Sequence, residues 1–333
     1  MRMLVQLLAD PGRAAGLNAS DWEALLAAAR AESLLGSLAH RLAGGALPDK
    51  VAAILADARR DAGHARTQAL WEAEMAQRAL AGLDVPVLLL KGTAYVAAGL
   101  SAADGRSIGD LDILVPRAAL DRVQAALLVA GWEWVKEDAY DDLYYRQWMH
   151  ELPPLIHKER DRMIDVHHTI LPLTAKPRPD AAAMVADSVV LEKGLRVLSP
   201  PDMVIHAAAH LFADGDLAGG LRNLWDIHSL VTEFREEPDF WPQLEKRARL
   251  HRLTPALGRS LRLAAKLYTA SVDERVAGRA RPSDQLFERR LLARDGWGQE
   301  VRPALRLGFY VRSHLLRMPP LMLARHLWTK ARR

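Results

Sequence analysis

The chain contains no cysteine. This absence excludes disulfide bonds and metal sites built from thiolates, and it is compatible with a reducing compartment. Aromatic residues are also scarce, at 6% of the sequence, whereas hydrophobic residues make up 50%. That balance is typical of an Ala/Leu-rich, largely helical protein. A length of 333 residues leaves room for two or three compact units.

Long hydrophobic runs are missing as well. The apolar run within residues 1–10 is too short for a signal peptide, and no later segment reaches the length needed to span a membrane. We therefore expect a cytoplasmic protein.

Acidic residues are few in the last third of the chain. Residues 241–333 hold 21 Lys/Arg and 7 Asp/Glu, whereas residues 1–240 hold 24 and 34. Such a basic region suggests an anionic partner, which can be nucleic acid, a membrane surface or a phosphorylated substrate. The alternative is an arginine-rich helical surface in a chain of Ala/Arg/Leu-biased composition, and we favour it.

The tail of this basic region, residues 302–333, alternates Leu, Met and Trp with Arg and His. A helix of this kind can make weak peripheral contact with a membrane surface. Because Pro319 and Pro320 interrupt the pattern, we expect a packed helical hairpin instead.

Both ends of the chain have helical patterns. Residues 1–82 are predicted to form an N-terminal helical arm, with a capping box at Ser20 and Glu23 that starts a helix running to about Leu42. A long amphipathic helix is predicted from Asp49 to about Leu80. Residues 201–333 are predicted to form a basic C-terminal helical domain.

The hydrophobic period changes in residues 83–200, which we predict to be a separate domain with a small mixed sheet. The fold class is therefore α+β, with helical regions on both sides of the sheet in the chain. The predicted strands are 85–90, 111–115, 132–136, 155–158, 163–168 and 195–198; a short helix is predicted at 94–100, an irregular stretch at 138–145, and loops over most of 171–200.

Two carboxylates lie two positions apart beside the second predicted strand. Because strand side chains alternate between faces, Asp110 and Asp112 should project to the same side of the sheet. Mg²⁺ prefers such oxygen ligands, and Asp165 in a later strand is the candidate for a third. Gly92 and Thr93, at the start of the short helix, can offer backbone N–H groups and a hydroxyl to phosphate oxygens.

Two cations lie beside this motif. Lys91 can act as a point charge and Arg106 as a bidentate donor toward a triphosphate. The alternative for both is an ordinary salt bridge, with Asp104 or another neighbouring acid. We favour the functional role because both residues lie inside the motif.

Further histidines remain open in role. His206 and His210 lie four residues apart on one predicted helix, and Arg222 and Asp226 lie on the next. Paired histidines at this spacing can bind a metal, but a structural network or contact with an acceptor is the commoner role, which we favour. We expect His167 on the strand face opposite Asp165, where it can orient a neighbour or be buried.

Taken together, these segments resemble the nucleotidyltransferase superfamily with the DNA-polymerase-beta-like palm. They are most similar to an uncharacterised bacterial family whose members read LLKG, then GDIDLLV, then IDLHW. The matching residues here are LLKG at 89–92, Arg106, GDLDILV at 109–115 and IDVH at 164–167. Thr93 stands where such proteins usually have serine, and the gap from Thr93 to Asp110 is longer than in many members.

The resemblance implies an enzyme that moves an NMP group from an NTP to an acceptor hydroxyl or phosphate and releases pyrophosphate. Asp110, Asp112 and Asp165 would bind two Mg²⁺ ions, with Mn²⁺ as a substitute, and Gly92 and Thr93 would hold the β- and γ-phosphates. The family's biosynthetic settings imply a peptide, a sugar phosphate or another small molecule as acceptor. The alternatives are a nucleotide- or RNA-binding module without turnover and a toxin-like enzyme that nucleotidylates tRNA.

Overall fold

The strands that carry the predicted site lie in one sheet at the centre of the molecule. The computed structural model describes residues 1–136, 138–320 and 323. The strands within these residues are β1 (Leu88–Leu89), β2 (Leu111–Leu114), β3 (Trp132–Trp134), β4 (Leu155–His157), β5 (Met163–His167), β6 (Val189–Val190) and β7 (Arg196–Val197). They form a seven-stranded sheet in the order β3-β4-β5-β2-β1-β7-β6.

The sheet is mixed, as predicted. β2 pairs in parallel with β5 and antiparallel with β1, and β4 and β5 form an antiparallel pair. Leu111, Ile113 and Leu114 of β2 are all buried, since β2 has a strand on each side and packed layers on both faces. The α+β class is confirmed.

Helices precede, interrupt and follow the sheet. The N-terminal arm consists of α1 (Arg2–Ala9), α2 (Ala19–Ala31), α3 (Leu35–Arg41) and α4 (Asp49–Leu80). The helices between strands are α5 (Lys91–Ala97), α6 (Leu120–Val129), α7 (Ala139–Trp148) and α8 (Ala181–Ala186). The C-terminal helices are α9 (Pro200–Ala209), α10 (Gly220–Phe234), α11 (Phe240–Leu250), α12 (Thr254–Tyr268), α13 (Glu274–Ala277), α14 (Asp284–Leu291) and α15 (Pro303–Arg317).

Two details of the N-terminal arm differ from the prediction. The capping box lies earlier than expected: the Asn18 side chain accepts from the Asp21 N–H at 3.0 Å, and the Asp21 carboxylate accepts from the Asn18 N–H at 3.2 Å. The single helix expected up to Leu42 is two helices, because the chain turns at Ser33, whose φ is +53°. A residue in this left-handed conformation ends an α-helix.

The stretch expected to be irregular, 138–145, is largely helical as part of α7. Its aromatic residues supply the reason. Tyr144 is buried and its ring centroid lies 5.6 Å from that of Trp148, one turn further on, so tertiary burial and side-chain pairing stabilise a helix that the sequence period does not reveal.

The three predicted regions share one hydrophobic core, which includes Leu4 of the arm, Ile113 of the sheet and Leu230 of α10. The predicted domain boundaries after residues 82 and 200 stay a prediction. The expected helical hairpin and its alternative, weak membrane contact, both concern a tail of which 321–322 and 324–333 lie outside the described residues. Within the described part of the chain, no helix is both long and apolar enough to cross a membrane.

The loop before β2 is held against the arm by a contact between two glycines. A Cβ added at Gly105 would lie 2.1 Å from the carbonyl oxygen of Gly36, and Gly105 itself has φ +65°. Ser37, the next residue of α3, donates a 2.9 Å hydrogen bond to the carbonyl oxygen of Asp104. The loop that leads to Arg106 is therefore attached directly to the start of α3.

Substitution of Gly105 should loosen this attachment. We expect Gly105→Ala to lower the free energy of unfolding by about 2–4 kcal/mol, because the new Cβ meets backbone atoms and the positive φ is strained for alanine. The matched control is Gly63→Ala in the exposed middle of α4, where nothing lies within 4 Å and a gain of about 0.5–1 kcal/mol is expected. Urea denaturation measures both; equal effects would contradict the proposed close packing.

Candidate active site

The centre of the site is the carboxylate of Asp112, which is only 3% exposed. Its Oδ1 accepts a hydrogen bond from the Lys91 ammonium at 2.6 Å and lies 2.9 Å from Nε2 of His167. Neighbouring strands place these groups together. Lys91 comes two residues after the end of β1, and the Leu90 N–H between them donates to the Asp112 carbonyl oxygen at 3.0 Å. His167 lies at the end of β5.

The charges of this trio depend on one another. Burial alone would raise the pKa of Asp112, but the Lys91 ammonium and the His167 hydrogen bond outweigh it and lower that pKa. Burial would likewise lower the pKa values of Lys91 and His167, yet the adjacent Asp112 carboxylate raises both. Asp112 is therefore held as an anion and Lys91 as a cation at neutral pH.

Asp112 is one of three carboxylates that converge on one face of the sheet. In the parallel ladder between β2 and β5, Asp112 stands directly opposite Asp165. Asp110, one residue before β2, completes a cluster in which one oxygen from each carboxylate lies within 4.8 Å of the others. Asp110 is exposed, Asp165 is intermediate and Asp112 is buried, so the cluster opens toward solvent on the Asp110 side.

Repulsion within this cluster affects Asp165. Burial is the largest cause, followed by the negative charges of Asp112 and Glu151, and together they raise the pKa of Asp165 to about 7. A carboxylate with a pKa this high marks a place where added positive charge would be stabilising.

The turn after β1 is shaped by Lys91 and Gly92. Lys91 has a positive φ of +49°. A Cβ on Gly92 would lie 3.2 Å from Cζ of Arg106 and 3.1 Å from Ile108, so glycine lets the Arg106 loop close over the start of α5. Thr93 is 1% exposed and lines a small surface pocket that includes Asp110.

The second predicted group, on α9 and α10, is organised by a buried ion pair. Arg222 donates from Nε to Oδ1 of Asp226 at 3.1 Å and from Nη1 to Ser37 Oγ at 2.7 Å. The other oxygen of Asp226 lies 3.1 Å from Nη2 of Arg106. Arg106 thus has an acidic partner, as its alternative interpretation required, but the acid is Asp226 and not Asp104.

The paired histidines belong to neither metal-competent cluster of the described residues. Burial lowers the pKa of His206 well below its ordinary value, and burial together with the positive charge of Lys91 lowers that of His210 to about 3. Both imidazoles are therefore neutral at physiological pH.

The expectation that His167 faces away from Asp165 is wrong. His167 contacts Asp112, and Asp112 clusters with Asp165, so all three point to the same side. The reason is the two-residue period of a strand: positions 165 and 167 share a face.

Two residues near the site were not singled out from the sequence. His150 and Glu151 follow α7, and the segment pairs with the end of β5: the His168 N–H donates to the His150 carbonyl oxygen at 2.8 Å, and Glu151 forms an antiparallel bridge with His167. Adjacent His and Glu carry no distinctive spacing, so only the pairing with β5 brings them to the site.

The sequence of the chain matches a known family over most of its length. The family described as uncharacterised nucleotidyltransferase matches residues 18–269. The chain belongs to this family. A search of curated proteins found no match. The matched range includes every predicted site residue from Lys91 to Asp226, whereas α13–α15 lie beyond it.

Membership in the nucleotidyltransferase family supports transfer of a nucleotidyl group as the general activity and implies an NTP substrate. It also agrees with the α+β architecture and with the acidic cluster at β2 and β5. It leaves the acceptor unidentified.

Removal of the Asp165 charge should stabilise the metal-free protein above pH 4. The folded-state pKa of about 7 lies above the ordinary 3.8, so wild type loses stability as the pH rises between these values. The advantage of Asp165→Asn should therefore grow from pH 4 to pH 7, reach on the order of 2–4 kcal/mol, and then level off. Urea denaturation in EDTA at pH 4, 5.5, 7 and 8 measures it; a difference that does not vary with pH would contradict the raised pKa.

Proposed function

We propose that this protein transfers an NMP group from a magnesium-bound NTP to an acceptor hydroxyl or phosphate. The acceptor oxygen forms a bond to the α-phosphorus, the bond between that phosphorus and the α–β bridging oxygen breaks, and pyrophosphate leaves. The observation that carries the proposal is the convergence of Asp110, one residue before β2, with Asp112 of β2 and Asp165 of the paired strand β5.

The donor set fits magnesium. Three carboxylates supply the hard oxygen ligands that Mg²⁺ prefers, and one or two carboxylates plus substrate phosphates usually complete its coordination. Burial, followed by the negative charges of Asp112 and Glu151, raises the pKa of Asp165, and a cation bound at the cluster would offset these effects. When bound, Mg²⁺ ions, or Mn²⁺ in their place, would neutralise charge on the transferring phosphate.

Two of the chain's own cations support the proposal. Lys91 is the first residue of α5, its side chain is 25% exposed, and its ammonium contacts Asp112 of the carboxylate cluster. Arg106 packs over Gly92 at that same helix start. We assign both to the β- and γ-phosphates, with the backbone of Gly92 and the hydroxyl of Thr93.

Asp165 is the candidate base toward the acceptor. A bound cation would lower its pKa from the metal-free value of about 7 and so keep Asp165 ionised, the form that can accept a proton from an attacking hydroxyl. The acceptor itself is proposed to be a peptide, a sugar phosphate or another small molecule, in line with the resemblance to biosynthetic members.

Loss of the Asp112 carboxylate should abolish transfer. We expect Asp112→Asn to lower the incorporation of label from α-³²P-labelled NTPs by a factor of about 100 or more, because the variant loses an anionic ligand at the reacting phosphate. The assay uses Mg²⁺, all four NTPs and pools of peptides, sugar phosphates and tRNA.

The matched control is Asp121→Asn, which removes an 88% exposed carboxylate on α6 and should leave label transfer unchanged. Equal transfer by wild type and Asp112→Asn would contradict the proposal. Binding of Mg·NTP by wild type without transfer to any pool would favour a nucleotide-binding module, and transfer to tRNA alone would favour the toxin-like alternative.

Lys91 should matter for nucleotide binding as well as for the compensation of the buried Asp112 charge. We expect Lys91→Met to raise the dissociation constant for Mg·NTP by roughly 10–100-fold, the effect of losing one charge-assisted contact. Isothermal titration calorimetry with a non-hydrolysable NTP measures the change, with Lys193→Met on the distant β6–β7 connection as control. An unchanged constant would remove Lys91 from the triphosphate contacts.

A further inference from the structure

Beside the three carboxylates lies a second group of metal-competent side chains. His150, Glu151 and His167 each offer one ligand atom within 4.8 Å of the others. Backbone hydrogen bonds hold the group together, because residues 150–152 run antiparallel to the end of β5. The Leu152 N–H, for example, donates to the Val166 carbonyl oxygen at 2.9 Å.

The two imidazoles approach the same carboxylate oxygen. Nδ1 of His167 lies 3.3 Å and Nε2 of His150 lies 3.6 Å from Oε2 of Glu151. In a tetrahedral site with bonds of about 2.1 Å, the ligand atoms are separated by roughly 3.4 Å. The separations of both imidazoles from Glu151 suit ligands of one ion, and a ligand atom of each imidazole lies within 4.8 Å of one on the other.

His167 supplies an independent sign of a ligand. It is 3% exposed, and its Nδ1 is buried without a hydrogen-bond partner. A buried polar nitrogen left unpaired is costly, and an ion bound at this nitrogen would remove that cost. This nitrogen faces Glu151 at 3.3 Å but not in hydrogen-bonding alignment.

Asp112 fixes which nitrogen of His167 is available. When Nε2 carries the proton and donates it to Oδ1 of Asp112 at 2.9 Å, the lone pair is on Nδ1 and points toward Glu151. A histidine ligand that donates its other N–H to a carboxylate is the usual outer-sphere arrangement of protein zinc sites.

We propose that His150, Glu151 and His167 bind a first-row divalent transition-metal ion, with zinc as the best match, in a site separate from the three aspartates. Two imidazoles and one carboxylate are the ligands of open zinc sites, which leave a position for water or a substrate atom. Hard magnesium is disfavoured by the two nitrogen ligands. Through His167 and Asp112, the ion is coupled to the carboxylate cluster.

Direct metal binding tests the site without reference to catalysis. The tag-free full chain is incubated with Zn²⁺ and desalted, its retained zinc is counted by mass spectrometry, and its affinity is measured by competition with a fluorescent chelator. Wild type should retain one equivalent. His150→Gln and Glu151→Gln should each lose about 100-fold or more in affinity, and Asp112→Asn about 10-fold through its effect on His167.

Two control variants separate this site from its neighbours. Asp165→Asn removes a carboxylate of the other cluster, and His210→Gln removes a buried imidazole that belongs to neither; both should retain the zinc. The proposal is overturned if wild type retains no zinc, if His150→Gln and Glu151→Gln retain it, or if Asp165→Asn loses it to the same extent as they do.

Folding is monitored by circular dichroism for every variant. Glu151→Gln is the decisive change, because that side chain is 22% exposed and glutamine preserves its size. X-ray absorption on the zinc-loaded protein should show imidazole scattering in wild type. Its persistence in a folded Glu151→Gln and His150→Gln double variant would place the ion elsewhere and overturn the assignment. Failure of NTP transfer would leave these binding results unaffected.

Discussion

The site depends on keeping one buried carboxylate charged. An isolated ion in a protein interior costs several kcal/mol, and Asp112 is compensated by the Lys91 ammonium at 2.6 Å and the His167 imidazole at 2.9 Å. These partners come from the ends of different strands, so the compensation exists only while β1, β2 and β5 keep their register. A slip of one residue would turn Asp112 to the other face and leave its charge unpaired.

A second set of buried charges connects the flanking helices to the sheet. Arg106, in the loop before β2, reaches Asp226 of α10, and Asp226 is shared with Arg222, which donates to Ser37 of α3. One buried polar network thus joins the arm, the sheet and the C-terminal helices near the candidate triphosphate site. Buried networks of this kind hold neighbours in one arrangement, because each unpaired member would be costly.

Local patterns in the sequence predicted much of this arrangement. They failed where contacts between distant residues determine the local structure or the partner of a side chain. The apolar runs, the Asp110–Asp112 pair and the long helix ending at Leu80 follow from local period and capping. The helical state of 138–145 depends on the burial of Tyr144, and the partner of Arg106 lies 120 positions away. The correct face of His167 follows from the two-residue period of a strand, and the contact of His167 with Asp112 shows that our prediction of the opposite face was wrong.

By itself, the sequence determined the chemistry that is present: hard oxygen ligands, no thiolates, and a strand–turn–helix with cations beside paired carboxylates. The tertiary structure decided how those groups combine. It placed Asp165 opposite Asp112, joined Arg106 to Asp226, and brought His150 and Glu151 to the end of β5. The physical reason is that period and spacing describe one segment at a time, whereas strand pairing and burial choose which segments meet.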